Sequence, residues 1–396
     1  MKDIGHEETD KLLEELEARL YSEYEQASIE VKAKLDDYLR RFKIKDKIKR
    51  RQLKEGKITQ KQYNDWRIGQ IAIGERWEEM VSTLATDFHN TNMIAKSITF
   101  GYMPEVYAIN HNYATFRIEK SALVDTSYTL YDRPTVERLM KKDPDLLPPP
   151  GKKVSARIAA GEDIRWNKQQ IQSVATQAIL QGESIPQISK RLAETVGDSN
   201  YKAAVRNART MTTSAENGGR QDAYKRAENM GIKMRRTWVA TLDGRTRHAH
   251  RLLDGQTVDI DKPFTVDGEE IMFPGDPKAK PYLVYNCRCT TISQIEGFER
   301  DVTDLSLRHT KHLGDMTYEE WKNARGDETF FKMSRNAKKD RDQYYAYRKM
   351  KVAGYPQTFG EFQRMKYYEP DKWKAVKSAV REKRTQKAQR AKKKKK

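Results

Sequence analysis

The residues best equipped for chemistry lie in one stretch, Trp238 to Cys289. It holds both cysteines of the chain, Cys287 and Cys289, and two of its seven histidines, His248 and His250. Thiolate and imidazole are the donors that a soft divalent cation such as zinc selects, and these four side chains are the one Cys2His2 set the sequence offers. The Cys-x-Cys spacing is tighter than that of most structural zinc sites, while a His-x-His pair on a strand turns both rings to one face. The competing reading makes the cysteines small buried hydrophobes and His250 a hydrogen-bonded core residue. A mutual disulfide across one residue is strained, so a reducing, intracellular setting suits the pair.

Elements must hold this cluster, and the grammar around it is that of short strands. Apolar runs occur at Met234 to Thr241, Gln256 to Ile260, Glu270 to Phe273, and Pro281 to Tyr285 leading into Cys289 to Ile292. Asp-Gly steps at Asp243, Asp254 and Asp267 and the Pro-Gly-Asp-Pro turn at Pro274 separate them, as in a small antiparallel sheet. Helices come first: Trp166 to Gln181, stopped by Gly182; a second begun by Ser184 and Pro186 and ending at Gly197; and a third from Tyr201 to Met230. Helices followed by strands make an α+β unit.

Upstream, Leu13, Leu16, Leu20, Tyr24, Ala27, Val31, Leu35, Tyr38 and Phe42 keep one stripe on a long helix, to be covered by the chain itself or by another protein. Arg40 to Lys54 carries nine basic residues and one acid, Gly56 is a stop, and Thr59 caps the next short helix. A helical pattern runs from Ile71 to Ile98 and is broken at Gly101 to Pro104. The aromatics from Tyr102 to Tyr131 are irregularly spaced, as core residues are, although aromatic faces can also stack bases. The clearest boundary is Asp143 to Lys153, with four prolines. Past Phe298 a helical appendage follows, with a Thr317–Glu320 capping box and helices over Tyr344 to Val352 and from Thr358 to Ala379. The division is therefore a helical region at 1–142, a Pro-rich linker and lead-in at 143–165, an α+β domain at 166–298, a helical appendage at 299–380, and a disordered Lys-rich tail at 381–396.

Hydrophobic residues make up 37% of the 396 and charged ones 34%, so a core is confined to part of the chain. The net charge of +19 favours a polyanionic neighbour such as nucleic acid. Residues 381–396 hold ten basic residues and one acid, and end in Lys392, Lys393, Lys394, Lys395 and Lys396, the candidate contacts to phosphate. No window has the run of apolar residues a membrane span needs, and the first residues lack the apolar core of a signal peptide, so a soluble, non-secreted protein without a membrane partner is expected.

The ordered set W-V-A-T-L-D-G-R-T-R-H-A-H-R-L-L-D-G-Q, P-F, P-G-D-P and N-C-R-C resembles the phage minor head proteins, the Mu F-like head morphogenesis family. The preceding A-R-T-M-T-T-S-A-E-N-G-G-R-Q-D-A-Y-K-R-A is similar to the helix before that motif, and the resemblance covers Trp166 to Ile295. It implies a low-copy head component, located in the procapsid interior near the portal and in the host cytoplasm during assembly. The implied partners are the portal protein, other head or scaffold proteins, and phage DNA without sequence readout. It also implies a structural motif of Trp238, Asp243, Arg245, Arg247, Asp254, Gly255, Pro274, Gly275, Asn286 and Arg288. On the family pattern His250 is the matching histidine and His248 falls at a variable position, so Asp243 or water is an alternative ligand beside His250, Cys287 and Cys289. Arg245 and Arg247 are expected in an ion-pair network with Asp243 and Asp254, the alternative being a phosphate clamp. Zinc is the one cofactor these residues suggest, the alternative being none. No catalytic residue is assigned; the contrasting function is a zinc-dependent hydrolase or nuclease acting on nucleic acid, with metal-bound water as nucleophile and Asp243 as base.

Overall fold

The computed structural model describes residues 3–122, 130–143, 146, 152–243, 245–295, 317–324, 336–350, 352, 354–356 and 359–393. The architecture is α+β, with helices first, a small antiparallel sheet next and a helical appendage last. Four long helices carry the frame: α1 (Ile4–Arg40), α4 (Glu75–Ala122), α7 (Glu162–Leu180) and α8 (Ile185–Asn229). Between the first two stands a hairpin of α2 (Lys43–Lys54) and α3 (Gln60–Ile71); α5 (Arg133–Lys142) and α6 (Lys152–Ala159) lead from α4 to α7.

The stripe predicted on α1 is buried from Leu16 through Tyr38, so the chain covers its own amphipathic helix. One core joins Val31 and Leu35 of α1 with Trp77, Leu84 and Phe88 of α4, Ile171 and Ile179 of α7, and Ile188 and Leu192 of α8. A second joins Leu16 and Leu20 with Val106, Tyr107 and Met211. Helices from both sides of the Pro-rich segment thus share these cores. The hairpin follows its local signals: Gly56 adopts φ 69°, and Thr59 and Gln62 exchange backbone hydrogen bonds of 3.2 and 2.9 Å in a capping box.

Two expected breaks are bridged. Gly101 and Pro104 lie inside α4, and Gly197 lies inside α8, which is one helix where two were expected. A proline within a helix costs about 3 kcal/mol. Its neighbours Met103, Val106 and Tyr107 are buried, and each such side chain contributes about 1.5–3 kcal/mol, so packing wins over the lost hydrogen bond. Gly197 sits where Ser28 of α1 crosses α8, and a methyl group there would collide with the serine. That glycine serves helix packing, which local pattern does not distinguish from a stop.

The sheet is centred on β1 (Met234–Val239), flanked by β2 (Thr257–Asp259) and β5 (Thr290–Ile295), both antiparallel to it, with Trp238 opposite Thr291. A separate hairpin pairs β3 (Phe264–Val266) with β4 (Glu269–Ile271). Its turn places Asp267 at φ 51° and Gly268 at φ 76°, the left-handed pair that a two-residue hairpin loop requires. The connectors are α9 (His248–Leu253) and α10 (Pro281–Val284). The run from Pro281 was expected to be a strand; Pro281 instead opens a helical turn, where its fixed φ and missing N–H are tolerated.

In the appendage, α11 (Tyr318–Ala324) begins with the expected capping box, Thr317 and Glu320 bonding reciprocally at 3.1 and 3.2 Å. Its Tyr318 and Trp321 pack on Tyr113 and Phe116 of α4. Then α12 (Ala337–Arg348), α13 (Phe359–Tyr368) and α14 (Pro370–Lys393) close over a core of Tyr344, Phe362, Trp373 and Val380. The stretch from Arg381, expected to be disordered, is helical as far as Lys393, in keeping with its content of Lys, Arg, Gln and Ala. Lys394, Lys395 and Lys396, Thr358 and most of the Pro-rich segment lie outside the described residues. Among the described residues no helix is long and apolar enough to cross a membrane.

Candidate metal centre

Three pieces of backbone converge at the end of β1. The loop leaving Val239 is closed on itself, because Asp254 Oδ1 accepts from the Ala240 N–H (2.8 Å) and the Gly255 N–H donates to the Trp238 carbonyl (2.9 Å). Gly255, at φ 76°, supplies the left-handed step this closure needs. Inside the loop, α9 carries Ala249, His250 and Leu253 inward. The expected strand at His248 and His250 is corrected to a helix, and the consequence is chemical. Residues two apart on a helix point to nearly opposite sides. His250 is 2% exposed while His248 faces solvent, outside the cluster.

His250, Cys287 and Cys289 come together, with their donor atoms all within 4.8 Å of one another. His250 Nδ1 lies 3.3 Å from Cys289 Sγ and 3.6 Å from Cys287 Sγ. A tetrahedral ion with ordinary zinc–nitrogen and zinc–sulfur bonds spaces such atoms by about 3.6 Å, so the set fits zinc with little adjustment. The other ring nitrogen settles the tautomer: Nε2 lies 2.9 Å from the Leu283 carbonyl and donates to it, leaving the Nδ1 lone pair toward the sulfurs. The Cys289 N–H donates to Cys287 Sγ at 3.3 Å. A hydrogen bond from the Cys287 thiol, followed by the contact with His250, holds the Cys289 thiol below its usual range, while burial pushes Cys287 up.

The knot is fastened to α8 by side chains that sequence reasoning passed over. Thr213 Oγ1 donates to the Cys287 carbonyl (2.5 Å), Asn217 Nδ2 to the Cys289 carbonyl (3.2 Å), and Arg220 Nη1 to the Thr291 carbonyl (3.0 Å). Thr210 Oγ1 accepts from the Asn286 N–H (2.8 Å), and Thr290 Oγ1 donates to Glu216 (2.7 Å). All five α8 residues are buried. The signal was present: Thr210, Thr213, Asn217 and Arg220 recur at helical spacing on a face where apolar residues belong, which marks a polar stripe reading another backbone. Arg220 is itself held by Asp3 through two bonds of 2.7 and 2.8 Å and by Asn110.

The remaining motif residues are structural in their contacts. Trp238 is fully buried, edge-on to His250 and Phe264. Gly275, at φ 81°, follows the buried Pro274 and lies against the α8 backbone at Thr213 and Ser214. Asn286 adopts φ 55° just before Cys287. The expected ion-pair network is corrected. Arg288 is the principal partner of Asp243 (2.8 Å), and its hydrogen bond, then that of the Arg245 N–H, holds this carboxyl down at about 2. Arg245 stands 3.7 Å from Asp243 and is largely exposed, Arg247 donates to the Tyr285 carbonyl, and Asp254 caps Ala240. Asp243 is thus neither a fourth ligand nor a free base. A cavity of about 310 Å³ lies elsewhere, beside Tyr24, Trp166 and Asn200.

Comparison with known proteins bears on the same segment. A family model described as Phage Mu protein F like protein matches residues 169–292. The chain is 30% identical over 152 residues to Minor head protein GP7 of Bacillus phage SPP1, covering 37% of this chain and 47% of that protein. It is 28% identical over 210 residues to NAD(+)--arginine ADP-ribosyltransferase EFV of Enterococcus faecalis (strain ATCC 700802 / V583), covering 52% of this chain and 40% of that protein. The matched segments span less than half the length of these curated relatives. No solved structure matches.

Proposed function

We propose, from the chain's membership of the phage minor head protein family through its Mu F-like residues 169–292, that it is a non-enzymatic, portal-associated head protein acting in procapsid assembly and DNA packaging or delivery. Head morphogenesis is the role the family supports; association with the portal and contact with DNA are our extension. The observation that carries the non-enzymatic part is where the motif's polar groups point. Asp254, Arg247, His250, Thr213 and Asn217 each bond backbone of the same chain, which is the work of a staple. A metal-dependent hydrolase needs a free base, and Asp243 is committed to Arg288. The transferase activity in the name of the Enterococcus relative is a statement about that protein.

Within this reading His250, Cys287 and Cys289 would hold a zinc ion, which would add a crosslink between α9 and the turn before β5. The basic residues of α14 and the terminal lysines meet DNA phosphates without reading sequence. The protein then resides in the virion head, inside the procapsid beside the portal, after assembly in the host cytoplasm.

The test is co-purification of the full chain with the portal oligomer of the same phage, alongside incubation with labelled DNA with and without chelator. Stable association without cleavage is expected. Metal-dependent cleavage lost in Cys289→Ser would overturn the reading in favour of an enzyme on nucleic acid. DNA affinity falls with salt, and deleting Lys392 to Lys396 flattens that slope by up to ~0.9 per phosphate released; an unchanged slope removes the tail from the interface.

A further inference from the structure

Helix α2 is amphipathic in the wrong direction. Its one buried residue is a charge, Asp46, which turns inward to accept from Tyr63 Oη (2.8 Å) and pairs with Arg67 Nε (3.1 Å) of α3. Its isoleucines face out: Ile44 is 75% exposed and Ile48 54%. Four residues apart on a helix, they form one apolar ridge. Lys43, Lys45, Lys47 and Arg51 frame that ridge, all exposed. Most helical stability comes from burying an apolar face, and α2 places no side chain in the described cores. Among the described residues, nothing covers Ile44 and Ile48.

We propose that the outer face of α2 is a docking site, with Ile44 and Ile48 as anchors, for an acidic protein surface that carries an apolar socket. The inference rests on the portal-associated reading above, which makes the portal oligomer the partner. Charge selects this occupant. Of the seven basic residues of α2, Arg50 pairs with Asp46 and Arg51 with Glu55; the five lysines call for carboxylates opposite them. A duplex would satisfy the cations and leave the isoleucines wet. Two isoleucines without an aromatic residue are too little for membrane insertion, and a second copy of this chain brings α2 the same sign of charge.

The test measures binding of the full chain to the purified portal oligomer, for the natural sequence, for Ile44→Ser with Ile48→Ser, for Lys43→Glu with Lys45→Glu and Lys47→Glu, and for Ile29→Ser, an exposed control on α1. All replaced side chains are exposed, so unchanged helicity by circular dichroism confirms folding. The isoleucine pair is expected to lose at least about 100-fold in affinity, from anchors each contributing on the order of tenfold or more. Charge reversal is expected to lose affinity and its salt dependence, and the control to lose neither. If the natural chain binds and every variant binds equally, the docking face is wrong and the portal reading survives. If the natural chain does not bind, the portal reading fails, and a photo-crosslinking residue at position 48 in phage-producing cells decides the face. A crosslink to an identified acidic head protein, abolished by charge reversal, sustains it; a crosslink to DNA or to a second copy, or none, overturns it.

Discussion

Replacing Gly275 with alanine tests whether the Pro-Gly-Asp-Pro turn is pressed onto α8 as the structure has it. A Cβ at this position would sit 2.7 Å from Ser214 N, 2.8 Å from Ser214 Cα and 3.0 Å from the Thr213 carbonyl carbon, all backbone of a buried helix. None of these atoms can swing aside as a side chain would, so the turn must lift. Overpacking of this kind costs about 1–3 kcal/mol. The backbone adds its own penalty, because φ 81° disfavours an L side chain by about 1–2 kcal/mol. The sum is about 2–5 kcal/mol, against a stability of about 5–15 kcal/mol for a typical domain. Gly268→Ala is the internal standard: its φ of 76° carries the same backbone penalty, but no atom lies within 4 Å of the added methyl. The entropy that alanine removes from the unfolded chain is common to both variants and cancels. Urea titration followed by circular dichroism should show Gly275→Ala losing about 1–3 kcal/mol more than Gly268→Ala. Equal losses, or a larger loss at Gly268, would falsify the close approach of turn and helix.

Two further perturbations reach other parts of the molecule. His6 lies 2.9 Å from the buried Glu216, whose charge raises its pKa from 6.5 to about 9 against the opposing effect of burial. The pair's stabilisation, of order 3 kcal/mol at most, is full below pH 6.5 and lost as pH rises through about 9. Thermal midpoints should decline across that window in the natural chain and decline less in His6→Gln; identical slopes would remove His6 as the cause. For the metal centre, cobalt(II) titration of reduced protein should give thiolate charge-transfer bands that vanish in Cys289→Ser and persist in His248→Ala, and chelation should lower the melting temperature. Metal-free protein with no response to chelator would return the cysteines to the role of packed hydrophobes.

What the sequence disclosed depended on whether the deciding interaction was local. The stripe of α1, the cap at Thr59, the capping box at Thr317 and the Asp267–Gly268 turn are written within one or two turns of chain, and the structure has each. Gly197 and Pro104 were misread as stops because what keeps them helical is a neighbouring helix far away in sequence. At the site, Cys287, Cys289 and His250 were legible from donor chemistry alone. The family pattern set His248 at a variable position, and its exclusion follows from six residues forming a helix rather than a strand. Arg288 displaced Arg245 and Arg247 as the partner of Asp243 because the strand return brings it there, a matter of topology. The buried polar row of α8 is written in the sequence as helical spacing of Thr210, Thr213, Asn217 and Arg220, but its partner backbone is set by topology.

The distances along the chain between α1 and its partners set a timetable for synthesis. Asp3 pairs with Arg220, and Glu17 with Arg209, 192 residues later. At about 5–20 residues per second, the apolar row of α1 has no native partner on α8 for roughly 10–40 s after it leaves the ribosome. During that wait Leu16, Leu20, Val31 and Leu35 offer a long sticky surface in a crowded cell. α4 can cover part of that row before α8 is made, and lower growth temperature or co-expressed holdases should raise the yield of this protein more than any change near the cysteines.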